Sequence, residues 1–372
     1  MTVLSSMRFL LVIILFSANV FSQSIDLDEL YVLYDTGETN VLRSLIKKSL
    51  KSGKKVKVLK FGTANRLLKT TNVNVDLFEL LDIKIDNSIN RRFQIPEAKI
   101  IKLLEVYNPR IVVTGLVSNV QNQISNAFKT KSTIFGIYDS FNSITKTHIA
   151  NKFTLSLDEI WIPSELQKES FVEAGFSKII TVGHPTLGRW KSELSRKSRE
   201  LLKFEKSLPK NKRILLYIGG YGNSYQKSLI HFLNSVKSRK DLSIYISLHP
   251  KVNGNVERVI IDEFTSLNAK ILSKSISTAE ASSVSDIIVT QNSTVGIQAL
   301  AQNKEVLYFH TNKNYKNIAI VNNISPQLSS EIELNSYLDG NASIWSFDSK
   351  SLGIPEQPSV DIMFSRLTKQ DN

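Results

Sequence analysis

From Ser24 onward, short β-branched apolar runs alternate with amphipathic stretches of helical spacing, and this alternation constrains the fold more than any other feature of the chain. Runs of that kind suit strands buried on both faces, and strand and helix repeated in turn build a parallel sheet flanked by helices. The spacing predicts strands over 30–34, 56–61, 111–114, 133–138, 159–162 and 178–182, with a helix over 41–50 after the first. Six such units make one doubly wound domain. A basic, Pro-poor stretch at 189–212 then carries few bulky apolar residues and reads as a solvated connector. The alternation restarts with strands at 213–218, 242–248, 269–272, 286–290 and 305–309 and helices at 225–236 and 294–301.

The expected architecture is therefore α/β, with two Rossmann-like doubly wound domains facing a central cleft. Residues 25–188 form the first domain, 189–212 the linker and 213–310 the second domain. Residues 311–372, with a helical stretch at 360–367, form an extension packing across the domains. At 372 residues and 42% hydrophobic content the chain has material for two cores.

Residues 1–24 differ from the rest. Phe9 to Phe16 is wholly apolar, Arg8 precedes it, and Val20-Phe21-Ser22 before Gln23 has signal-peptidase spacing. The run is shorter than the roughly 18 residues of a spanning helix. It reads either as a cleaved signal peptide, which would make the protein exported or periplasmic, or as a segment associating with the membrane.

The absence of cysteine removes thiolate nucleophiles, zinc ribbons, iron–sulfur clusters and disulfides, and five histidines remain for imidazole chemistry. No metal site and no cofactor is expected. The formal charge of +13 favours anionic partners. Basic residues gather at Lys47, Lys48, Lys51, Lys54, Lys55 and Lys57, and at Arg189, Lys191, Arg196, Lys197 and Arg199. These are solvated faces or attraction to anionic lipid headgroups. Nucleic acid is not an expected partner, because aromatics are not interleaved with the basic residues.

In open α/β sheets the functional groups sit just after the carboxyl ends of strands. Five places qualify. Gly219-Gly220-Tyr221-Gly222-Asn223-Ser224 is a Gly-rich turn between strand and helix, either an anion cradle or simply a tight turn needing positive φ. His249 ends a strand, is locked by Pro250 and has the cation Lys251 beside it, a pair that suits a phosphate. Ser293 and Thr294 open a helix whose N-terminus could hold a diphosphate, with Gly296 allowing close approach and Gln298 reaching a ribose or sugar hydroxyl. Asp139, in Tyr138-Asp139-Ser140-Phe141-Asn142-Ser143, is either a general base for an acceptor hydroxyl or a helix cap. Gly183-His184-Pro185 precedes the connector, as a hinge at the mouth of the cleft to which His184 contributes.

The order of these pieces resembles GT-B-type glycosyltransferases and the related UDP-N-acetylglucosamine 2-epimerase fold, especially the bacterial capsule and teichoic-acid polymer transferases. Leu248-His249-Pro250 looks like the His-Pro loop of those polymerases. Ser293 to Lys304 is similar to the Ser-Thr-x-x-x-Glu-Ala helix of the donor site, with Gln298 in place of the usual Glu, and Gly183-His184-Pro185 looks like the interdomain Gly-x-Pro turn. The resemblance implies a nucleotide-sugar donor held by Gly219, Gly220, Gly222, Asn223, His249, Lys251, Ser293, Thr294 and Gln298. His249 would also serve in catalysis. The acceptor, a glycan or polyprenyl-lipid-linked glycan, would sit in the first domain, where no motif marks the base; Asp139, Asp35 and Glu38 compete for that role.

The expected activity is metal-independent glycosyl transfer in surface polysaccharide biosynthesis, in capsule assembly of a sialic-acid type, at the cytoplasmic face of the inner membrane. The alternatives are an exported, non-catalytic glycan- or nucleotide-binding protein of the same fold, or a nucleotide-sugar epimerase.

Overall fold

A computed structural model describes residues 24–84, 90–142, 152–194, 197–249, 251–311, 316–341, 345 and 347–369. The 1–24 segment, save Ser24, and Ser143, Arg196 and Pro250 lie outside the described residues. The chain divides into two compact units. One comprises the described parts of Met1–Thr39, Ile46–Ile137 and Lys152–Glu159; the other comprises those of Asn40–Leu45, Tyr138–Asn151 and Ile160–Asn372.

Thirteen strands among the described residues form two parallel sheets. The first contains β1 (Ile25–Leu33), β2 (Val56–Lys60), β3 (Asn74–Asp76), β4 (Tyr107–Gly115), β5 (Thr133–Ile137), β6 (Glu159–Ile162) and β7 (Ile179–Thr181), in the order β3-β2-β1-β4-β5-β6-β7. The second contains β8 (Arg213–Ile218), β9 (Leu242–Ser247), β10 (Ala269–Ile271), β11 (Ile287–Thr290), β12 (Val306–Phe309) and β13 (Gln327–Leu328), in the order β10-β9-β8-β11-β12-β13. Both orders run outward from the first strand and then reverse, so each sheet is doubly wound, with its switch point between β1 and β4 or between β8 and β11.

The strand centres are as apolar as their sequences require. Leu30 to Leu33, Val112, Val113, Ile134 and Phe135 are fully buried in the first sheet, as are Leu215 to Tyr217, Ile288, Val289 and Val306 to Phe309 in the second. Three differences from the sequence pattern have physical causes. β1 and β4 begin four to five residues early, through the polar segments around Asp26 and Asn108, because the two strands extend together: Ile25 pairs with Tyr107, and Asn108 Nδ2 donates to Asp26 Oδ1 at 2.8 Å. β3 and β13 are edge strands of three and two residues, too short and polar to show periodicity.

The 189–212 stretch is more structured than a solvated connector. It carries the end of the Pro185–Leu194 helix and the Arg199–Ser207 helix, and Trp190 and Leu201 are buried in the hydrophobic cluster shared with β8, β11 and β12. Leu187 and Phe204, partly buried on the same two helices, pack against that cluster as well. Leu352 joins the same cluster, and a helix at Ser359–Thr368 buries Met363 and Leu367.

Candidate functional site

The parallel register puts the last residues of three neighbouring strands side by side: Ile218 of β8 pairs with Ser247 of β9 on one flank and Thr290 of β11 on the other. The Gly-rich turn, the His249 loop and the Ser293–Thr294 helix start therefore leave the same edge of one sheet. Segments about 29 and 72 residues beyond Ile218 in sequence meet there because the sheet is doubly wound.

The turn is shaped by its glycines in two different ways. Gly219 donates to Ser247 O at 2.7 Å, and a Cβ on it would press into that carbonyl and lie 3.2 Å from His249 N. It is glycine because two backbones touch. Gly222 has φ +80° with open space where a Cβ would be, and it precedes the Asn223–Ser235 helix without a side-chain cap. The amides at this helix start are consequently available to an anion.

His249 is partly buried. Its Nδ1 accepts from the Lys251 amide at 3.1 Å, and its ring centroid lies 4.7 Å from that of Tyr221. Lys251 Nζ sits 4.6 Å over the same Tyr221 ring. Burial, and then the Lys251 charge, hold the His249 pKa below its ordinary value. Beside it lies a cavity of about 240 Å³, with His249, Ser247, Ser273, Lys274, Ser277 and Thr278 on its walls.

Ser293 caps the Thr294–Leu300 helix, its hydroxyl accepting from Val295 N at 3.2 Å, and Thr294 is exposed. Gln291 Nε2 donates to Ser224 Oγ at 3.0 Å, tying this helix start to the Gly-rich turn. Gly296 does not serve close approach of a ligand. It is buried against β12, where a Cβ would meet the Tyr308 hydroxyl at 2.7 Å. Gln298 is also turned inward: it is buried, and its amide donates to Thr186 Oγ1 at 2.5 Å in place of the sugar hydroxyl assigned to it from sequence.

Thr186 Oγ1 lies 2.6 Å from His184 Nδ1, and His184 Nε2 lies 3.2 Å from the Asp139 carbonyl. A carbonyl only accepts, so the ring proton is on Nε2 and Nδ1 accepts the Thr186 hydroxyl proton. Burial pushes the His184 pKa down to about 4. His184 is thus a neutral link that holds the Asp139 backbone, on the wall of a 490 Å³ cavity with Lys191 and Lys350. Asp139 itself is partly exposed.

Asp35 and Glu38 have structural duties. Asp35 caps the Thr36–Lys51 helix, accepting from Glu38 N at 3.1 Å. Glu38 is fully buried and accepts from the Tyr34 amide, from Asp35 N at 3.2 Å and from Gln121 Nε2 at 2.7 Å. The Lys47–Lys57 cluster lies at the far end of that helix and the start of β2, with Lys47, Lys51 and Lys55 exposed. In the second basic run Arg189 and Lys197 pair with Glu193 and Glu205.

Sequence reasoning missed Tyr221, Lys274 and Ser277. Ser277 was legible, since Ser277-x-x-Glu280 forms a capping box. Lys274 carried no signal, being one lysine among many. Among the described residues no cluster of three or more His, Asp or Glu could hold a metal ion, and no helix is long and apolar enough to cross a membrane.

The model of a family described as capsule polysaccharide biosynthesis protein matches residues 203–315, a span that includes β8 to β12. No curated protein matches the chain. Similar solved structures include the UDP-GlcNAc 2-epimerase of Neisseria meningitidis bound to UDP-GlcNAc, at 17% identity and TM-score 0.63, covering 93% of this chain and 100% of that one. The S. aureus MnaA–UDP co-structure is similar at 10% identity and TM-score 0.66, covering 93% and 97%. A glycosyltransferase of Rickettsia africae is similar at 15% identity and TM-score 0.62, covering 93% and 98%. At these identities the likeness is one of fold: the chain has the two-domain, Rossmann-type α/β fold of the GT-B and UDP-GlcNAc 2-epimerase class.

Proposed function

We propose that the chain is a glycosyltransferase of bacterial surface polysaccharide biosynthesis that takes its sugar from a nucleotide-activated donor. The observation that carries this reading is the meeting of three loops at the carboxyl edge of β9, β8 and β11. They bring the uncapped helix start at Asn223, the His249–Lys251 pair and the Ser293–Thr294 helix start to one place, a combination suited to a diphosphate. The family match over 203–315 and the nucleotide and nucleotide sugar held by two of the fold relatives support it.

In this reading Gly219, Gly220 and Gly222 shape the turn, and Asn223, Ser293 and Thr294 supply N–H and O–H donors. Lys251 and His249 meet the charge that grows on the diphosphate as its bond to the sugar breaks. Such donors, fixed before reaction, supply stabilisation that a metal could otherwise give. The cavity beside His249 would take the nucleoside. Asp139 would accept the acceptor hydroxyl proton as that oxygen attacks the anomeric carbon, its backbone held by His184. Asp35 is the weaker base because its carboxylate caps a helix. The exposed lysines at Lys47, Lys51 and Lys55 would hold the enzyme against anionic lipid on the cytoplasmic face, near a glycan or polyprenyl-linked acceptor.

The test is thermal stabilisation of the full chain by a panel of CDP, UDP, GDP and CMP compounds. At least one raises the melting temperature of the wild type, and His249→Ala and Thr294→Ala lose that rise. If no compound stabilises, or both variants respond like the wild type, the donor site is elsewhere. Incubation with nucleotide sugars then separates transfer from epimerisation, the second reading that the fold relatives favour.

A further inference from the structure

The 490 Å³ cavity beside His184 lies wholly within the second compact unit, against the Pro185–Leu194 helix and the 349–360 segment. Ala301 and Gln302 on its wall follow the Thr294–Leu300 helix, which puts the cavity at the opposite end of that helix from the donor loops, about 10 Å along the axis. Its size is that of a ligand pocket, roughly 300–1,000 Å³. Leu187, Ala301, Ile354, Pro355 and Val360 give it an apolar lining, and each is only partly buried. Lys191 and Lys350 stand exposed on the same wall, and among the described residues neither ammonium has an ion-pair or hydrogen-bond partner. Glu356, also exposed, is the one acid among the described wall residues.

Gly188 opens this cavity. It sits inside the Pro185–Leu194 helix, where glycine lowers helix stability relative to alanine. Packing does not require it: no neighbouring atom lies within 4 Å of where a Cβ would be, and its φ is outside the left-handed region. What the missing side chain leaves is room beside Leu187 and Lys191 on the cavity wall.

We infer that this cavity binds a single-chain amphipathic anion, an apolar chain ending in a phosphate monoester. The chain covers the half-exposed apolar lining and takes that surface out of water. The head, with close to two negative charges at neutral pH, meets the two unpaired ammonium groups, which together outweigh Glu356. A nucleotide is disfavoured, because no aromatic ring on the wall offers its base a stacking surface. The inference goes beyond the donor reading and does not rest on it.

The experiment uses the full chain with octyl phosphate, octyl glucoside and inorganic phosphate as probes, the first two kept below their micellar concentrations. Calorimetry gives affinities, and methyl NMR of Leu187, Ile354 and Val360 gives the location. Octyl phosphate binds the wild type with a Kd of about a millimolar or tighter, more strongly than either other probe, and shifts those methyl signals. Lys191→Gln combined with Lys350→Gln weakens octyl phosphate by about tenfold and leaves octyl glucoside unchanged. Gly188→Leu raises the melting temperature of the free protein, as a better helix former, yet weakens octyl phosphate by about tenfold or more. His249→Ala, at the donor loops, binds the probe like the wild type. The inference is overturned if octyl phosphate gains nothing over inorganic phosphate, if the lysine and Gly188 variants bind it unchanged, or if His249→Ala abolishes binding, which would put the phosphate at the donor loops. Failure of every nucleotide to stabilise the protein would refute the donor reading and leave this result standing.

Discussion

Gln298 reaches His184 through a single hydroxyl: its amide donates to Thr186 Oγ1 at 2.5 Å, and that oxygen lies 2.6 Å from His184 Nδ1. Segments more than a hundred residues apart thereby fix one tautomer, and the ring's other nitrogen holds the carbonyl of Asp139. A glutamate at 298 would bring a charge into a buried position whose neighbour is a neutral hydroxyl. The amide fits that chain of donors without one.

This chain of bonds makes stability depend on pH. His184 has a folded pKa of about 4 against 6.5 in the free side chain, because burial disfavours the imidazolium. The unfolded chain takes up the proton first, so the contribution is complete above pH 6.5 and is lost as pH falls toward 4. Its full size is about 3 kcal/mol. Unfolding free energies measured across this window for wild type and His184→Gln should converge as pH falls, and ¹⁵N NMR should show the Nε2–H tautomer at neutral pH. A protonated ring at neutral pH would refute the arrangement.

Removing the middle of the chain strands its ends. Thr186→Val leaves the Gln298 amide and His184 Nδ1 buried without their partner, at a cost of about 1–3 kcal/mol. Denaturant unfolding measures it, and a loss near zero would mean that water or repacking replaces the hydroxyl.

The glycines of the donor turn should resist alanine for different reasons. Gly219→Ala drives a methyl into the Ser247 carbonyl, so β8 and β9 must shift, with a cost of about 1–3 kcal/mol and loss of nucleotide-induced stabilisation. Gly222→Ala meets no atom, and its cost is backbone strain alone, about 1–3 kcal/mol, because φ +80° with ψ 175° is a conformation that essentially only glycine adopts. Melting curves with and without nucleotide follow both: each variant loses stability, and each weakens the response to nucleotide because both glycines shape the donor turn.

In the first sheet, Gly115→Ala would place a methyl on the Glu38 carboxylate, which is buried and bonded to Gln121. With no flexible escape for a fully enclosed side chain, the loss should reach about 3 kcal/mol or more. Glu38→Ala in the same background should recover part of it, which chemical denaturation would register.

Affinity for a diphosphate should rise with acidity. Its anion favours the imidazolium of His249, and burial with Lys251 holds that pKa below the usual 6.5, so the rise is centred below that value. Calorimetry from neutral to mildly acidic pH should show tighter binding in the wild type and a flatter profile in His249→Gln.

Much of this molecule could be read from its sequence because burial on both faces of a parallel sheet leaves an apolar run, and eleven of the strands announced themselves in that way. The Gly-rich turn, His249 and Ser293 were legible as well, since they follow such runs directly. The roles of buried polar groups were not. Gln298, Gly296 and Glu38 looked available for ligands, yet each is engaged by a residue or strand further along the chain, and Asp35 is taken up in capping its own helix. Local pattern determines which segments become strand and helix, because periodicity acts over a few neighbours. Which donor meets which acceptor depends on where the strand order reverses and which loops it brings together, so only the tertiary structure decided that Gln298 serves Thr186 and that His184 holds the Asp139 carbonyl.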